Sequence, residues 1–509
     1  MNIGKNLTIK ANGTVTVQPI NPGSTVFIIN SGGSGTTIQG FTITGATTST
    51  GIYIYEASDC KILNNKIINC NNGINAYRSN NNQIVGNTIT NTGTGYAYGI
   101  YIDGNYNKIS GNKINLTGTG SGDSRGIHVW GNSHEISKNT VNISSSGTGG
   151  SYGIILNNDG GNTGHHNIIS ENTISTTSST QISEAIDFSS AFSNNAYGNT
   201  VLSGSIKNTG DDNHLNFNRI IGSVTIINYI TEEFDALYNW YGSNNPYFTT
   251  LISGNVDYNQ WLYMTLQANP TTIVQGETST LTASFNNAFD GTTITPLNPD
   301  NGHIPDKTPV TFNTDLGSVG SKTINKETIN GIATATLTAD ETIGIAHVNA
   351  VTDNQTVNNN VTIQQSIAPT AKANIKGGLY NVNKNVSLSM NKPGTIYYTR
   401  NGSTPTTAST KYTGYLTITS TTTLKFIAVD KIGNVSPVYT ERYVIDKTTP
   451  KVTYTYPKNL RTGQSRTATL YLKFSEKIKT STNWSKIYVK NLKTGRKVSI
   501  IHQRKHTLH

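Results

Sequence analysis

In the first half of the chain, apolar residues recur in short runs that alternate with polar ones. "QIVG", "NTIT" and "GIYI", within residues 83–102, are three such runs. Period-two alternation over so few residues predicts half-buried β-strands bounded by turns. A strand this short cannot bury its apolar face alone. Stacking of successive copies at the strand spacing of about 4.8 Å builds one continuous core instead.

The copies are visible across residues 36–222. "NNKI", "GNTI", "GNKI", "KNTV", "ENTI", "GNTV" and "FNRI" align on Asn65, Asn87, Asn112, Asn139, Asn172, Asn199 and Asn218, at spacings of 22, 25, 27, 33, 27 and 19 residues. A second column begins "GIYI", "GINA", "GIYI", "GIHV" and "GIIL" at Gly51, Gly73, Gly99, Gly126 and Gly153, and "AIDF" at Ala185 continues it less well. From each column glycine to the next asparagine the chain runs 14, 14, 13, 13 and 19 residues. The return arc, from the Ile or Val two after an asparagine to the next glycine, runs 6, 10, 12 and 12. Most of the variation therefore falls on one edge. The asparagines are expected at a sharp corner, where Asn tolerates a left-handed backbone and its amide can bond to the Asn above and below. Their role is rigidity, a structural Asn ladder.

These repeats resemble the right-handed parallel β-helix family of the pectate-lyase-like, carbohydrate-binding and sugar-hydrolase type. The resemblance implies that "GIYI" is the first strand of each coil, with "KISG" and "NKI" the second and third. The expected fold class is all-β: a right-handed parallel β-helix solenoid followed by Ig-like β-sandwich domains. Residues 1–262 form the β-helix, closed by the aromatic cap "FDALYNWYGSNNPYF". Residues 263–366 show turn signals every eight to twelve residues and resemble the invasin-type bacterial Ig-like domain. Residues 367–446, with "GTIYYTRNGSTPTT", resemble the C-terminal sandwich of chitobiases. Residues 447–509 resemble a bacterial Ig-like module but are shorter than the roughly 100 residues of a sandwich, so a partial, truncated domain is expected.

Composition supports the strand reading. Charged residues make up only 13% of the 509, and no sustained heptads appear. No apolar run approaches the roughly 18 residues of a membrane helix. The net charge of +10 is concentrated: residues 447–509 hold fifteen Lys and Arg against Glu476 alone, or +14, leaving −4 for the rest. Such a segment suits an anionic cell-envelope polymer; it carries no nucleic-acid motif, so no nucleic-acid partner is expected. Two cysteines, Cys60 and Cys70, exclude a disulfide framework and suggest no metal site. The N-terminus has no apolar leader region, which suggests a fragment.

Candidate chemistry lies on the outward positions of the first strand. One outward column is Tyr53, Asn75, Tyr101, His128, Ile155 and Asp187; the next is Tyr55, Tyr77, Asp103, Trp130, Asn157 and Ser189. In the lyase-like relatives this face is the substrate groove. Tyr53, Tyr55, Tyr77, Tyr101, His128 and Trp130 would form an exposed aromatic strip suited to sugar faces, with Asp103 as a polar point beside it. Outward Tyr also has high strand propensity, which accounts for the column without a ligand. Glycoside hydrolysis needs carboxyls about 5–9.5 Å apart. By coil counting, Glu56 and Asp103 stand about 10 Å apart, and Asp103 and Asp187 about 14 Å. No catalytic residue is assigned. Arg78 beside Asp103 reads as a surface ion pair. His165, His166, Asp159 and Glu171 lack metal-ligand spacing, so no metal or cofactor is expected.

The order of Asn-rich β-helix, aromatic cap and Ig-like modules resembles the large adhesin-like surface proteins of methanogenic archaea, most specifically in "GTTIQGFTITG", "DALYNWYGSNNP" and "TSTNWSKIYVKNLKTG". It implies a role at the cell surface or outside the cell, contacting surface glycans or partner cells. The leading reading is a non-enzymatic adhesin whose β-helix presents a binding face and whose Ig-like modules act as stalk. The alternatives are a polysaccharide lyase or hydrolase acting near Asp103, and a structural envelope protein without ligand.

Overall fold

A computed structural model describes the chain except residues 159–163, 180–181, 341, 459–462, 466, 477, 479–485, 487, 499 and 501–509. It divides into two compact units, Met1–Ser366 and Ile367–His509.

The first unit begins with the parallel solenoid. Its front sheet has 11 strands, all parallel and in chain order, from Asn2–Ile3 to Ile252–Ser253. The strands of the other two faces are short. Lys108–Ser110 and Lys113–Gly118 are typical, each paired in register with the coil before and the coil after. The coils thus extend beyond residues 36–222 on both sides. Thr8–Val17 already pairs with Thr37–Thr44, and Phe234–Asp235 with Val256–Asp257.

Inside, like stacks on like. Ile52, Ile74, Ile100, Ile127, Ile154 and Ile186 form one fully buried row, each contributing roughly 1.5–3 kcal/mol of apolar burial. Cys60 and Cys70 are buried in the same core as free thiols, and burial pushes both thiol pKa values up.

The glycine column has a steric origin. Gly51, Gly73, Gly99, Gly126 and Gly153 turn inward together with the isoleucine that follows. A Cβ on Gly99 would stand 2.5 Å from the carbonyl oxygen of Gly126 and 2.6 Å from Ile114 Cγ2. At Ala185 the next strand drops the extra residue: the register steps from Glu184↔Ser205 to Ile186↔Ile206. No second inward residue presses from that coil, and a methyl group fits.

The asparagine ladder is continuous. Asn112 Oδ1 accepts from both the backbone N–H (2.9 Å) and Nδ2 (3.0 Å) of Asn87, while Asn112 Nδ2 donates to Asn139 Oδ1 (3.0 Å) and to the Ile84 carbonyl (2.8 Å). The pattern runs from Asn65 to Asn218 and one rung further, to Asn239. The left-handed residue, however, is not the ladder asparagine. It is the residue before it: Asn64, Gly86, Gly111, Lys138, Glu171, Gly198 and Phe217 all have φ between 53° and 69°. The Asn is chosen for its amide alone. Its neighbour makes the corner, in some coils as Gly, which adopts that conformation without steric cost.

A second ladder runs alongside, five residues earlier in each coil. The backbone N–H of Asn82 donates to Asn107 Oδ1 (2.9 Å), Asn107 to His134 Nδ1 (3.2 Å), His134 to Asn167 Oδ1 (2.8 Å), and Asn167 to Asn194 Oδ1 (2.8 Å). His134 replaces one amide. As an acceptor at Nδ1 it must be neutral, and burial lowers its pKa to about 4.

The return arcs stack too. The amide of Thr119 donates to Gly93 O, and that of Thr148 to Gly120 O. The "TGTG" arcs thereby continue the coil wherever their lengths match.

After the solenoid, a sandwich is built from a sheet of Thr265–Asn269, Thr278–Ser284 and Ile332–Thr338 and a five-stranded sheet that includes Gly344–Thr352 and Gln355–Gln364. Trp240 of the aromatic cap is fully buried in this sandwich core, edge-on to Phe285 at 5.0 Å. Arg219, on the last complete coil, donates from Nε to Asp353 Oδ2 (3.0 Å) and from Nη2 to Oδ1; Trp240 Nε1 donates to the same carboxylate (2.8 Å).

In the second unit a five-stranded sheet containing Gly394–Thr399, Thr422–Asp430 and Tyr439–Ile445 closes a core around Leu424, Phe426 and Tyr443. Beyond residue 446 the described residues form two two-stranded ribbons, and none of them is buried.

Candidate functional site

The front sheet carries three outward columns rather than two. Because each column glycine and the isoleucine after it both turn inward, the residue before the glycine stands outward. Tyr98, Arg125, Tyr152 and Glu184 form this additional column, in register with one another. Strict alternation counted from "GIYI" hides it.

The columns expected to present the aromatic strip are in register as well: Tyr53 with Asn75, Tyr55 with Tyr77, Tyr101 with His128 and Asp103 with Trp130. Tyr55 is 37% exposed, while Tyr53, Tyr77, Tyr101, Asp103 and Trp130 are half-buried. His128 departs from the expectation. It is only 2% exposed, packed against Tyr98 (5.7 Å), Tyr101 (5.6 Å) and Trp130 (5.8 Å). The Tyr98 column covers it, so His128 belongs beneath the face and not on it. Burial, with Arg125 adding to it, lowers its pKa to about 3. Neither ring nitrogen has a hydrogen-bond partner among the described residues.

The rings partly use one another. Tyr55 and Tyr77 stack at 6.2 Å with 6° between planes, and the Arg78 guanidinium lies 5.2 Å from the Tyr77 ring centre. Arg78 pairs with Glu56 at 3.4 Å. Tyr101 is held as a neutral phenol, its pKa pushed up to about 12 by burial and then by Asp103.

The central coils hold a charged cluster. Arg125 lies between the Tyr98 and Tyr152 rings at 5.6 and 5.5 Å and is paired with Asp123 at 3.0 Å. Next along the stack, Glu184 and Asp187 stand together, 6% and 5% exposed. Lys207 Nζ reaches them at 3.7 and 3.4 Å. Burial, then the neighbouring Asp187 charge, pushes Glu184 up; burial also raises Asp187, against the pull of Lys207. Acids on this face therefore include Glu184, which the sequence count omitted, whereas Glu56 lies in a left-handed turn at φ 50°.

Unpaired buried polar atoms gather here. Asn75 Oδ1, Arg125 Nε, both His128 nitrogens, Glu184 Oε2 and Asp187 Oδ1 all belong to outward residues of the front sheet, and all lack a hydrogen-bond partner among the described residues. Buried polar groups are ordinarily hydrogen-bonded, so this concentration on one face sets it apart from the rest of the solenoid.

Elsewhere, His165 and His166 contact each other through their Nδ1 atoms at 2.5 Å, and Glu171 lies 3.6 Å from Lys138. Asp159 lies outside the described residues. No cluster of three or more His, Cys, Asp or Glu able to hold a metal occurs among the described residues. An open groove of about 440 Å³ on the second face is lined by Lys108, Ser137, Lys138 and Glu171, and its Lys108 and Glu135 already form an ion pair at 2.7 Å.

Three family models match the chain: a right handed beta helix region over residues 2–143, a chitobiase/beta-hexosaminidase C-terminal domain over 375–440 and a bacterial Ig-like domain over 446–509. The fold is thus a right-handed parallel β-helix followed by Ig-like domains. No curated protein matches. Among solved structures, the chain is similar to a C-terminal fragment of intimin in complex with the intimin-binding domain of its translocated receptor. Identity is 22% over 35% of this chain and 63% of that one, at a TM-score of 0.16. It is also similar to the Yersinia pseudotuberculosis adhesin InvE (19% identity, 36% and 58% of the two chains, TM-score 0.15). A third is the Escherichia coli adhesin FdeC (15%, 37% and 66%, 0.20). The chain spans under two thirds of the intimin fragment and of InvE.

Proposed function

We propose that the protein is a non-enzymatic, adhesin-like protein of the cell surface or exterior, whose β-helix presents its front face to glycans or a partner cell. The Ig-like modules act as its stalk, and the basic C-terminal segment suits contact with an anionic envelope polymer. One observation carries this reading. Tyr53, Tyr55, Tyr77, Tyr101 and Trp130 line a partly open face of a solenoid whose corners are tied by two side-chain ladders. Partly exposed rings with polar tips on a rigid surface bind sugars at small entropic cost. A glycan array probed with the full chain tests it. Tyr101→Ala or Trp130→Ala should weaken binding by tenfold or more, the loss typical of a buried aromatic anchor. Absence of binding to any glycan would overturn the adhesive face.

A second reading, acid–base chemistry on a polysaccharide, is favoured by the Glu184, Asp187 and Lys207 cluster rather than by Asp103. Release of new reducing ends or unsaturated products, abolished in Glu184→Gln, would establish it in place of the first.

A further inference from the structure

We propose that Glu184 and Asp187 form a shared-proton latch on the front face, and that loss of this proton loosens the coils around it. This deepens the reading of the front face as the presenting surface and rests on that reading for what the loosening uncovers.

The argument begins with backbone geometry. Ala185 and Ile186 both point inward and are fully buried, so Glu184 and Asp187, three residues apart, emerge side by side. Both are more than nine-tenths buried. Among the described residues only Lys207, from the following coil, lies within ion-pair distance of them. Arg125, on the other side, is occupied by Asp123 and by the two tyrosine rings that sandwich it. The remaining titratable groups facing the pair are neutral. Tyr152 is held protonated, its pKa raised to about 12 mainly by burial, and His128 is deprotonated by burial. From the coil beyond Lys207, Ile227 contributes no charge.

Charge balance then decides the protonation state. Two buried carboxylates against one ammonium leave an uncompensated negative charge, which a low-dielectric site disfavours strongly. One proton held between the carboxyls makes the cluster neutral. It also supplies a donor for Glu184 Oε2 or Asp187 Oδ1, which otherwise lack a hydrogen-bond partner among the described residues. The direction of the shifts agrees: Glu184 is raised from 4.5 to about 7 by burial and by Asp187. A raised carboxyl pKa means that the closed state binds more protons than the open one. The latch is therefore strongest below about pH 4.5, weakens as pH rises, and is spent above about 7. Lys207, 26% exposed on a flexible stem, is the cover that moves when the proton leaves to solvent.

Hydrogen exchange of the full chain, corrected for intrinsic rates, tests the latch. Peptides covering Ser183–Ser189 and Ser205–Asn208 should show an opening constant that rises roughly a hundredfold between pH 4.5 and 8, while peptides covering Lys113–Gly118 stay flat. Glu184→Gln should abolish the rise, and Lys207→Met should carry it to higher pH. A flat profile in the unmodified chain, or an unchanged rise in Glu184→Gln, would overturn the proposal. If the variant fails to fold, infrared spectroscopy of the unmodified chain decides. A protonated carboxyl band persisting at pH 6 supports the latch, and its absence overturns it. Failure of glycan binding leaves these outcomes unchanged, so the two readings fall separately.

Discussion

Trp240 and Tyr241 are consecutive in the chain and buried in different cores. Trp240 enters the sandwich against Phe285, while Tyr241 stays in the solenoid, edge-on to Phe248 at 5.2 Å with its hydroxyl donating to the Ala236 carbonyl. One peptide bond is thus the seam between two domains. Asp353 closes the seam from the sandwich side by accepting from both Arg219 and Trp240.

Asp353→Ala should open this seam. It leaves the Arg219 guanidinium, 11% exposed, without its counter-charge. Breaking a buried pair on one side costs about 3–5 kcal/mol. Urea unfolding followed by tryptophan fluorescence should show the loss, with Trp240 reporting the first transition.

The glycine column predicts an asymmetry between two small substitutions. Gly99→Ala sets a methyl group against the Gly126 carbonyl and the Ile114 side chain, both closer than 3.0 Å. It should cost well over 2 kcal/mol or prevent folding. Ala185→Gly, at the equivalent position, should cost only about 0.5–1 kcal/mol. Thermal melts of both variants check this.

Ladder amides should be worth more than surface ones. Asn112→Ala removes the acceptor of two buried Asn87 donors, at about 1–3 kcal/mol for each group left unpaired. Asn115→Ala removes only one half-exposed amide contact with Asn142 at 3.0 Å and should cost under about 1 kcal/mol. Chemical denaturation separates the two.

His134 should make the solenoid acid-sensitive. Its pKa is lowered from 6.5 to about 4 in the folded chain, mainly by burial. The unfolded chain therefore binds the proton first, and stability is full above about pH 6.5 and declines as pH falls to 4, by roughly 3 kcal/mol in total. His128 acts in the same direction down to about pH 3. In His134→Asn, which restores the amide of the second ladder, the midpoint of denaturation should drop less between pH 6.5 and 4.5. An unchanged drop would refute this role.

Much of the solenoid could be read from sequence because its ladder requires the same side chain in every coil. The first asparagine column announces itself for that reason. The second column was equally regular, five residues earlier, but Cys60 and His134 interrupt its lettering while keeping its place in the coil. The left-handed corner falls on the residue before the ladder asparagine, a distinction the sequence hides because Asn and its predecessor both suit turns; only the backbone distinguishes Asn87 from Gly86. Glu184 is hidden for a different cause. Counting alternate residues presumes a regular strand, and the inward pair at Ala185 and Ile186 breaks that count. The burial of His128 depends on Tyr98, one coil earlier and outside any simple period.

The uneven return arcs have a consequence for how the chain finds its fold. A stack of near-identical coils can misalign by one whole coil and still place isoleucine on isoleucine and asparagine on asparagine. With repeats of equal length, that error would be almost free of penalty. Here the asparagine spacings of 22, 25, 27, 33, 27 and 19 residues differ from coil to coil. A shifted pairing leaves one arc too short to reach and its neighbour slack, and each mismatch unpairs stacked glycine arcs such as 119–122 on 93–95. The unequal lengths act like the notches of a key, allowing a repetitive chain a single alignment.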